Sequence, residues 1–332
     1  MEKKFDVITI GSATRDVYLA SDSFIPVEGA EFQTGQGICV NLGSKIEVKD
    51  IHFTTGGGAV NVAITFALQG LRAAAICKVG DDARADAIEE RLKEVGVAVD
   101  LVIRDKERLT AYSVIIHAPD GERSIFVYRG ASSYLNTREV DLSRLEGTSW
   151  IYVTHMAGES AAFFAPLMEA AKQHDVKVAF NPGSTQLRMG KELVPFLNNV
   201  DILFLNREEA SVLTGIEFGK EQEIFKQLDE WVRGIAVMTK GPDGVTVSDG
   251  ATRWDAPALK EPRLVDRTGA GDAFGSGFTT AIIQGKTVEE AMLLGSANAT
   301  RLIGEWGSNI GLLTRDDTPE MFGALTINTE QL

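Results

Sequence analysis

Towards the C-terminal end of the chain, Asp266-Arg267-Thr268-Gly269-Ala270-Gly271-Asp272-Ala273-Phe274 runs small residues up to a carboxylate and on into an apolar stretch without proline. That pattern reads as a loop opening a helix. Glycine at 269 and 271 lets successive backbone N–H groups point the same way, and the helix dipole adds positive potential there. Such a place suits an anion, typically a phosphate. Asp272 beside it is repelled unless it has a task, and taking the proton of a hydroxyl that attacks the phosphate is such a task. The competing reading of Asp272 is simple dipole compensation in a first helical turn. A dinucleotide fingerprint fits less well, because its third glycine is misplaced and it belongs in a first βαβ unit.

Other chemistry-bearing residues fall at the ends of predicted strands, where open α/β sheets place their ligands. Asp16 follows the first strand, in Gly11-Ser12-Ala13-Thr14-Arg15-Asp16. Gly56-Gly57-Gly58-Ala59-Val60-Asn61 opens the first long helix. Gly57 and Gly58 allow close approach of a ligand to the backbone, and Asn61 offers both donor and acceptor. An aspartate, an asparagine and exposed backbone suit a polyhydroxylated ligand. Asn181-Pro182-Gly183, Asn206-Arg207-Glu208-Glu209 and Thr239-Lys240-Gly241 each follow a further strand. Asn206 and Glu209 could hold a hydrated Mg²⁺, which prefers one or two carboxylates and keeps its waters. Taken alone, Glu209 reads equally as first-turn dipole compensation.

The elements that must position these residues alternate. Phe5–Gly11, Ala73–Val79, Trp150–Val153, Val176–Phe180, Ile202–Leu205 and Ile235–Thr239 read as strands. Gly58–Gly70, Ala83–Val95, Ala161–Lys172, Glu221–Val232 and Val288–Arg301 read as helices. The alternation predicts an α/β fold with a mostly parallel central sheet covered on both faces, in one domain over residues 1–332. Two regions break the rhythm. Residues 17–55 hold short β-like runs, Glu31-Phe32-Gln33-Thr34 and Lys45-Ile46-Glu47-Val48. Residues 101–128 read as a hairpin turning at Pro119-Asp120-Gly121. Together they could form one small β-sheet lid over the carboxyl ends of the strands.

A net charge of −14 argues against a nucleic-acid partner. No apolar run is long enough to span a bilayer, and Met1-Glu2-Lys3-Lys4 does not begin a signal peptide. Cys39 and Cys77 suggest no disulfide framework, and four scattered histidines no metal cluster. A cytoplasmic setting is expected.

Asp266–Phe278, Gly56–Asn61 with Val79-Gly80-Asp81-Asp82, and Asn206-Arg207-Glu208-Glu209-Ala210 together resemble the signatures of the ribokinase-like (PfkB) carbohydrate kinase family, from about residue 5 to about residue 312. The resemblance implies a three-layer α/β/α sandwich with a small β lid. It also implies ATP- and Mg²⁺-dependent phosphorylation of a sugar. Asp272 would be the general base, and the amides of Gly269, Ala270 and Gly271 the anion hole. Asp16, Gly57, Gly58 and Asn61 would hold the sugar. Asn206 and Glu209, with Asn181 close by, would organise Mg²⁺ through water and the phosphates. Thr239 and Gly241 would line the nucleotide path, and Asn298 would lie near the adenine. Family members with a monovalent-cation site hold it near the positions of Asp266 and Thr268, which makes potassium a candidate ion. Lids of this kind pair their edges, which implies a homodimer.

Gly58 stands where ribokinases and phosphosugar kinases carry lysine, which argues against a substrate already bearing phosphate. The expected acceptor is a hydroxymethyl group of an unphosphorylated sugar or sugar acid. A nucleoside kinase of the same fold is the alternative, with Tyr112, Ile38 or Phe126 stacking on the base. A sugar- or nucleotide-binding regulator without turnover is the reading from another class.

Overall fold

Alternate residues of a strand point to opposite faces, and this sequence supplies apolar side chains on both. In Phe5–Ile10, Val7 belongs to one core and Ile8 to the other. In Ile202–Asn206, Phe204 and Leu203 divide in the same way. Strands buried on both faces must lie inside a sheet that helices cover. The computed structural model, which describes all residues except 1–2, 31, 33–34, 118–122 and 262, contains that sheet.

Among the described residues the sheet has nine strands. Its six parallel strands run in the order Ile235–Thr239, Ile202–Asn206, Lys177–Phe180, Thr148–Val153, Phe5–Ile10, Ala73–Ile76. Val245–Ser248, Thr252–Ala256 and Asn328–Gln331 extend it antiparallel beyond Ile235–Thr239. Helices Gly58–Leu68, Ala83–Glu94, Ala270–Ile283 and Val288–Leu302 pack on one face. Helices Phe164–Gln173, Arg207–Thr214 and Glu221–Trp231 pack on the other. The expected three-layer α/β/α sandwich with a mostly parallel sheet is the architecture found.

The departures from expectation have local causes. The single strand read over Ala73–Val79 splits in two. Ala73–Ile76 joins the main sheet, while Lys78–Gly80 turns away to pair in parallel with Ile103–Asp105. Lys78 is buried, and a buried ammonium needs partners. It finds them off the main sheet, in Asp105 at 3.1 Å and Glu139 at 2.8 Å.

A second sheet of four strands has the order Arg123–Tyr128, Ala111–His117, Thr14–Ala20, Asp50–Gly56. Asp16 therefore lies within a strand and not in the loop after the first one. Lys45–Val48 forms no strand; the pairing begins at Asp50, opposite Ala20. Alternating β-formers without a partner strand do not make one. Ile25–Glu28 and Gln36–Cys39 pair separately as a small antiparallel ribbon. Glu31, Gln33 and Thr34 of the other expected run lie outside the described residues, as does the turn Pro119-Asp120-Gly121.

Ala270–Ile283, which carries Asp272, is anchored by close packing on Val288–Leu302. A side chain at Gly295 would come within 2.8 Å of Phe274 O, and one at Gly277 within 3.1 Å of the Gly295 Cα. Gly295→Val is predicted to lower the unfolding free energy by about 1–3 kcal/mol in urea denaturation; an unchanged midpoint would mean that the helices are not in this contact.

Candidate active site

Asp272 lies in the first turn of Ala270–Ile283, opening on a cavity but deep in the protein. Asn61, in the first turn of Gly58–Leu68, donates from Nδ2 to Asp272 Oδ2 at 2.9 Å. The Asn61 amide is itself held, because Oδ1 accepts from Ser308 Oγ at 2.9 Å and from Asn309 Nδ2 at 3.0 Å. Asn309 also donates to Thr55 O at 2.7 Å, on the small sheet. Burial pushes the Asp272 carboxyl up to about 6, and the Asn61 hydrogen bond partly opposes that rise. This is the acidity of a base useful near neutral pH.

The cavity has a volume of about 300 Å³. Asp16, Gly57, Gly58 and Asn61 line it together with Thr268, Gly269 and Asp272, so the expected acceptor residues and the base share one space. Burial raises Asp16 to about 6, against hydrogen bonds from Ser113 and Thr14. Gly57 has φ 92°, and a Cβ there would meet Ser12 O at 2.6 Å; only glycine lets the chain pass so close. At Gly58 a Cβ would sit 2.6 Å from Thr154 Oγ1, so the site closes on backbone where a long side chain has no room. From the small sheet, Ile115, Ile125 and Val127 face the cavity. Strand alternation turns Phe126 outward, 61% exposed, and Tyr112 stacks under Arg84, so the side chains expected to stack on a base are one register step away. Ile38 is on the separate ribbon and is not part of the lining.

The loop before Asp272 is built on Asp266. That buried carboxylate accepts from Thr268 N–H at 3.0 Å and Thr268 O–H at 2.8 Å through Oδ1, and Arg123 Nε approaches it to 3.8 Å. Gly269 takes φ 85°, and a Cβ there would lie 2.7 Å from Ser308 O. Ala270 N–H is spent in the turn, donating to Arg267 O at 3.2 Å. The Gly269 and Gly271 N–H groups find no acceptor among the described residues. The far side of the loop walls a second cavity of about 220 Å³, lined by Thr239, Gly241, Ala270, Gly271, Phe274 and Thr300 among others. The glycine-rich loop thus borders both cavities, Thr268, Gly269 and Asp272 lining the first and Ala270 and Gly271 the second.

Three further expectations change in detail. Asn206 and Glu209 cap the helix Arg207–Thr214 reciprocally: Asn206 Oδ1 accepts from Glu209 N–H, and Glu209 Oε2 from Asn206 N–H, both at 2.8 Å. Burial, then the charges of Glu208 and Asp272, hold Glu209 above the usual carboxylate range, which puts it within electrostatic reach of Asp272. Asn181 donates to Phe204 O at 3.1 Å and does not line either cavity. Asn298 does not itself line the second cavity. It is fully buried, donating to Ala273 O and accepting from Leu313 N–H, both at 2.8 Å, and Ser296, Ala299 and Thr300 line the second cavity in its place. Its amide ties the helix of Asp272 to the following segment.

Sequence reasoning missed Ser308 and Asn309, whose only signal is the glycine-flanked run Gly307-Ser308-Asn309-Ile310-Gly311. It also missed Arg129 and His155, which line the first cavity. His155 lies 3.4 Å from Ser12 Oγ, and burial, helped by Arg129, lowers its basicity.

The sequence pattern of the pfkB family of carbohydrate kinases matches residues 4–315. A ribokinase of Haemophilus influenzae is 28% identical over 287 residues, covering 84% of this chain and 90% of its own. A cytidine kinase of Thermococcus kodakarensis is 28% identical over 255 residues, covering 76% and 88%. The structure of Arabidopsis thaliana ribokinase complexed with ribose and ATP superposes with a TM-score of 0.78 at 22% identity, covering 97% of this chain and 99% of that one.

Two predictions follow from the geometry. A carboxyl whose folded pKa is raised contributes stability at low pH that is lost as pH rises through about 6. Asp272→Asn should therefore be more stable than the parent at pH 7, by on the order of 1–2 kcal/mol after allowing for the open cavity, with the gap closing towards pH 4. Equal melting temperatures at both pH values would mean that Asp272 carries no buried charge. Asn298→Ala should lose about 1–3 kcal/mol in chemical denaturation while nucleotide affinity, read by calorimetry, stays within twofold; a selective loss of nucleotide binding would restore the adenine role.

Proposed function

The chain belongs to the pfkB family of carbohydrate kinases, and on that premise we propose that it phosphorylates a hydroxymethyl group of an unphosphorylated sugar or sugar acid, with ATP as donor. The observation that carries this reading is the placement of Asp272. Its carboxylate, with pKa raised to about 6 and oriented by Asn61, faces the first cavity at the loop that also borders the second.

In the proposed reaction the acceptor sits in the first cavity against Asp16, Gly57, Gly58 and Asn61. Asp272 takes the hydroxyl proton as the oxygen forms its bond to the terminal phosphorus, and ADP leaves. The free N–H groups of Gly269 and Gly271 are disposed to carry negative charge on the transferred group, while Ala270 N–H holds the turn. The second cavity suits a nucleotide: Phe274, Ala299 and Ile303 provide an apolar slot, and Thr239, Gly241 and Thr300 offer backbone and hydroxyl groups beside it. A Cβ at Gly271 would meet nothing within 4 Å, so there is room for phosphate against the backbone.

Mg²⁺ fits the donor set as an ion brought in on phosphate. Among the described residues no cluster of three acidic, histidine or cysteine side chains forms a cage. Burial and the nearby charges of Glu208 and Asp272 hold Glu209 above the usual carboxylate range, a negative region that a divalent cation would neutralise. Glu209 would hold it through water, and the ion would offset phosphate charge. A potassium ion at Asp266 and Thr268 would share a carboxylate that already faces Arg123, and the proposal does not depend on one.

Arg129 favours the sugar-acid branch. It lines the acceptor cavity, and no carboxylate pairs with it among the described residues. The apolar surface of Ile115, Ile125 and Val127 favours the nucleoside alternative. The family assignment disfavours a binding protein without turnover. We further propose a homodimer paired through the small sheet, whose edge strand Arg123–Tyr128 leaves Phe126 and Tyr128 more than half exposed. Light scattering should give twice the chain mass, and a single chain mass would end that part of the reading.

The deciding assay measures ATP consumption with Mg²⁺ and ribose, fructose, 2-keto-3-deoxygluconate, adenosine, inosine or cytidine. Turnover of a sugar or sugar acid is expected, and turnover of nucleosides alone would replace the proposal with its alternative. With the active acceptor, Asp272→Asn should lower kcat by about 10²-fold or more; near-normal turnover would remove Asp272 as base. If the acceptor is acidic, Arg129→Gln should raise its KM about tenfold with kcat held.

A further inference from the structure

The small sheet meets the core at one polar junction, and each of its strands sends a side chain there. Tyr18 comes from Thr14–Ala20, His52 from Asp50–Gly56, His117 from Ala111–His117 and Arg123 from Arg123–Tyr128. On the core side stand Trp306 and Asp266. The Trp306 ring lies 5.2 Å from that of His52, 4.8 Å from His117 and 6.0 Å from Tyr18. Burial and the neighbouring Asp266 charge push the Tyr18 phenol well above its ordinary range.

Four buried polar atoms at this junction make no hydrogen bond of ordinary length among the described residues: Tyr18 Oη, His117 Nε2, Arg123 Nε and Asp266 Oδ2. Orphans of this kind are rare in folded proteins. These four are mutually complementary, with N–H and O–H donors set against a carboxylate acceptor. Arg123 Nε stands 3.8 Å from Asp266 Oδ1, whereas a charge-assisted bond of this type is about 2.7–2.9 Å. The junction is therefore about 1 Å short of closing.

What hangs from Asp266 gives that gap its consequence. Its Oδ1 holds both the N–H and the O–H of Thr268, the residue that leads into Gly269. The orientation of this carboxylate sets the turn whose next amides are those of Gly269 and Gly271. We propose that Arg123 is a positioning residue. Its guanidinium, carried on the edge strand of the small sheet, fixes Asp266, and Asp266 fixes the turn that presents the Gly269 and Gly271 N–H groups. The catalytic half of this inference rests on the phosphoryl-transfer reading of that loop, while the structural half does not.

The test compares full-length parent, Arg123→Gln and Arg123→Lys. Arg123 is part-exposed on an edge strand, and the melting temperature of each variant verifies that the fold is kept. Hydrogen–deuterium exchange of the Thr268–Asp272 amides is expected to quicken about threefold or more in the Gln variant and to return towards the parent in the Lys variant. In steady-state kinetics the Gln variant should lose about tenfold in kcat with acceptor KM within threefold. Millimolar guanidinium chloride should restore part of the loss in the Gln variant and none in the parent. Unchanged exchange in 268–272, or faster exchange confined to the small sheet, overturns the proposal. If exchange in 268–272 quickens but the parent consumes no ATP with any acceptor, the positioning role stands and the phosphoryl-transfer reading fails.

Discussion

A carboxylate kept deep in the protein, without a cationic partner among the described residues, is the constraint on which the other features of this site turn. Asp272 is stabilised by one neutral donor, Asn61, and that donor is fixed by Ser308 and Asn309. Two helix starts and a late loop, far apart in the chain, must therefore meet within hydrogen-bond distance. The arrangement lowers stability at neutral pH, because the charged form is the disfavoured one. A fold tolerates such a group when it needs the proton affinity that burial creates. The rest of the structure makes the meeting possible. The parallel sheet brings the ends of Phe5–Ile10 and Thr148–Val153 side by side, Gly57 and Gly269 let backbone pass against backbone, and the buried Asn298 amide pins the helix of Asp272.

Burial also shapes the second carboxylate, Asp16, with only the neighbouring Arg15 charge and two hydroxyl hydrogen bonds opposing it. It is buried against Ser113 and Thr14, and its pKa is raised like that of Asp272. Two carboxylates of elevated pKa in one cavity of about 300 Å³ form a site that accepts hydroxyl protons and hydroxyl hydrogen bonds readily. Arg129 and His155 supply the opposite character along the same lining. The polarity of the cavity is thus divided between two carboxylates and a cation that pairs with no carboxylate among the described residues.

Much of this was legible in the sequence where the determinants are local. Gly269-Ala270-Gly271-Asp272 announces a loop and a helix start within four residues, and Ile235–Thr239 matches its strand to the residue. Gly56–Asn61 was equally readable, since glycine before an apolar helical run has few other meanings. What escaped was set by partners distant in sequence. Ser308 and Asn309 matter because they lie against Asn61, 247 and 248 positions away. The family resemblance put Asn298 near the adenine, whereas its hydrogen bonds to Ala273 O and from Leu313 N–H, invisible in the sequence, hold it inside. Lys78 broke a strand because its counter-charges, Asp105 and Glu139, pull it off the main sheet. Asp16 read as a loop residue because the strand that holds it pairs with Asp50–Gly56 and Ala111–His117, and short polar-rich strands show themselves only through their neighbours. The inward register of Ile125 and Val127 over Phe126 needed the same knowledge.

The central claim is that burial tunes Asp272 into a base that works near neutral pH. The pH dependence of kcat/KM for the acceptor, in the parent and in Asn61→Ala, tests it most directly. The account predicts that activity falls as pH drops through about 6, where Asp272 and Asp16 take up protons. It also predicts that the limb moves to higher pH in Asn61→Ala, which lacks the hydrogen bond that favours the charged form. A rate that is level from about pH 5 to 8, or a limb that stays in place when Asn61 is removed, would contradict it.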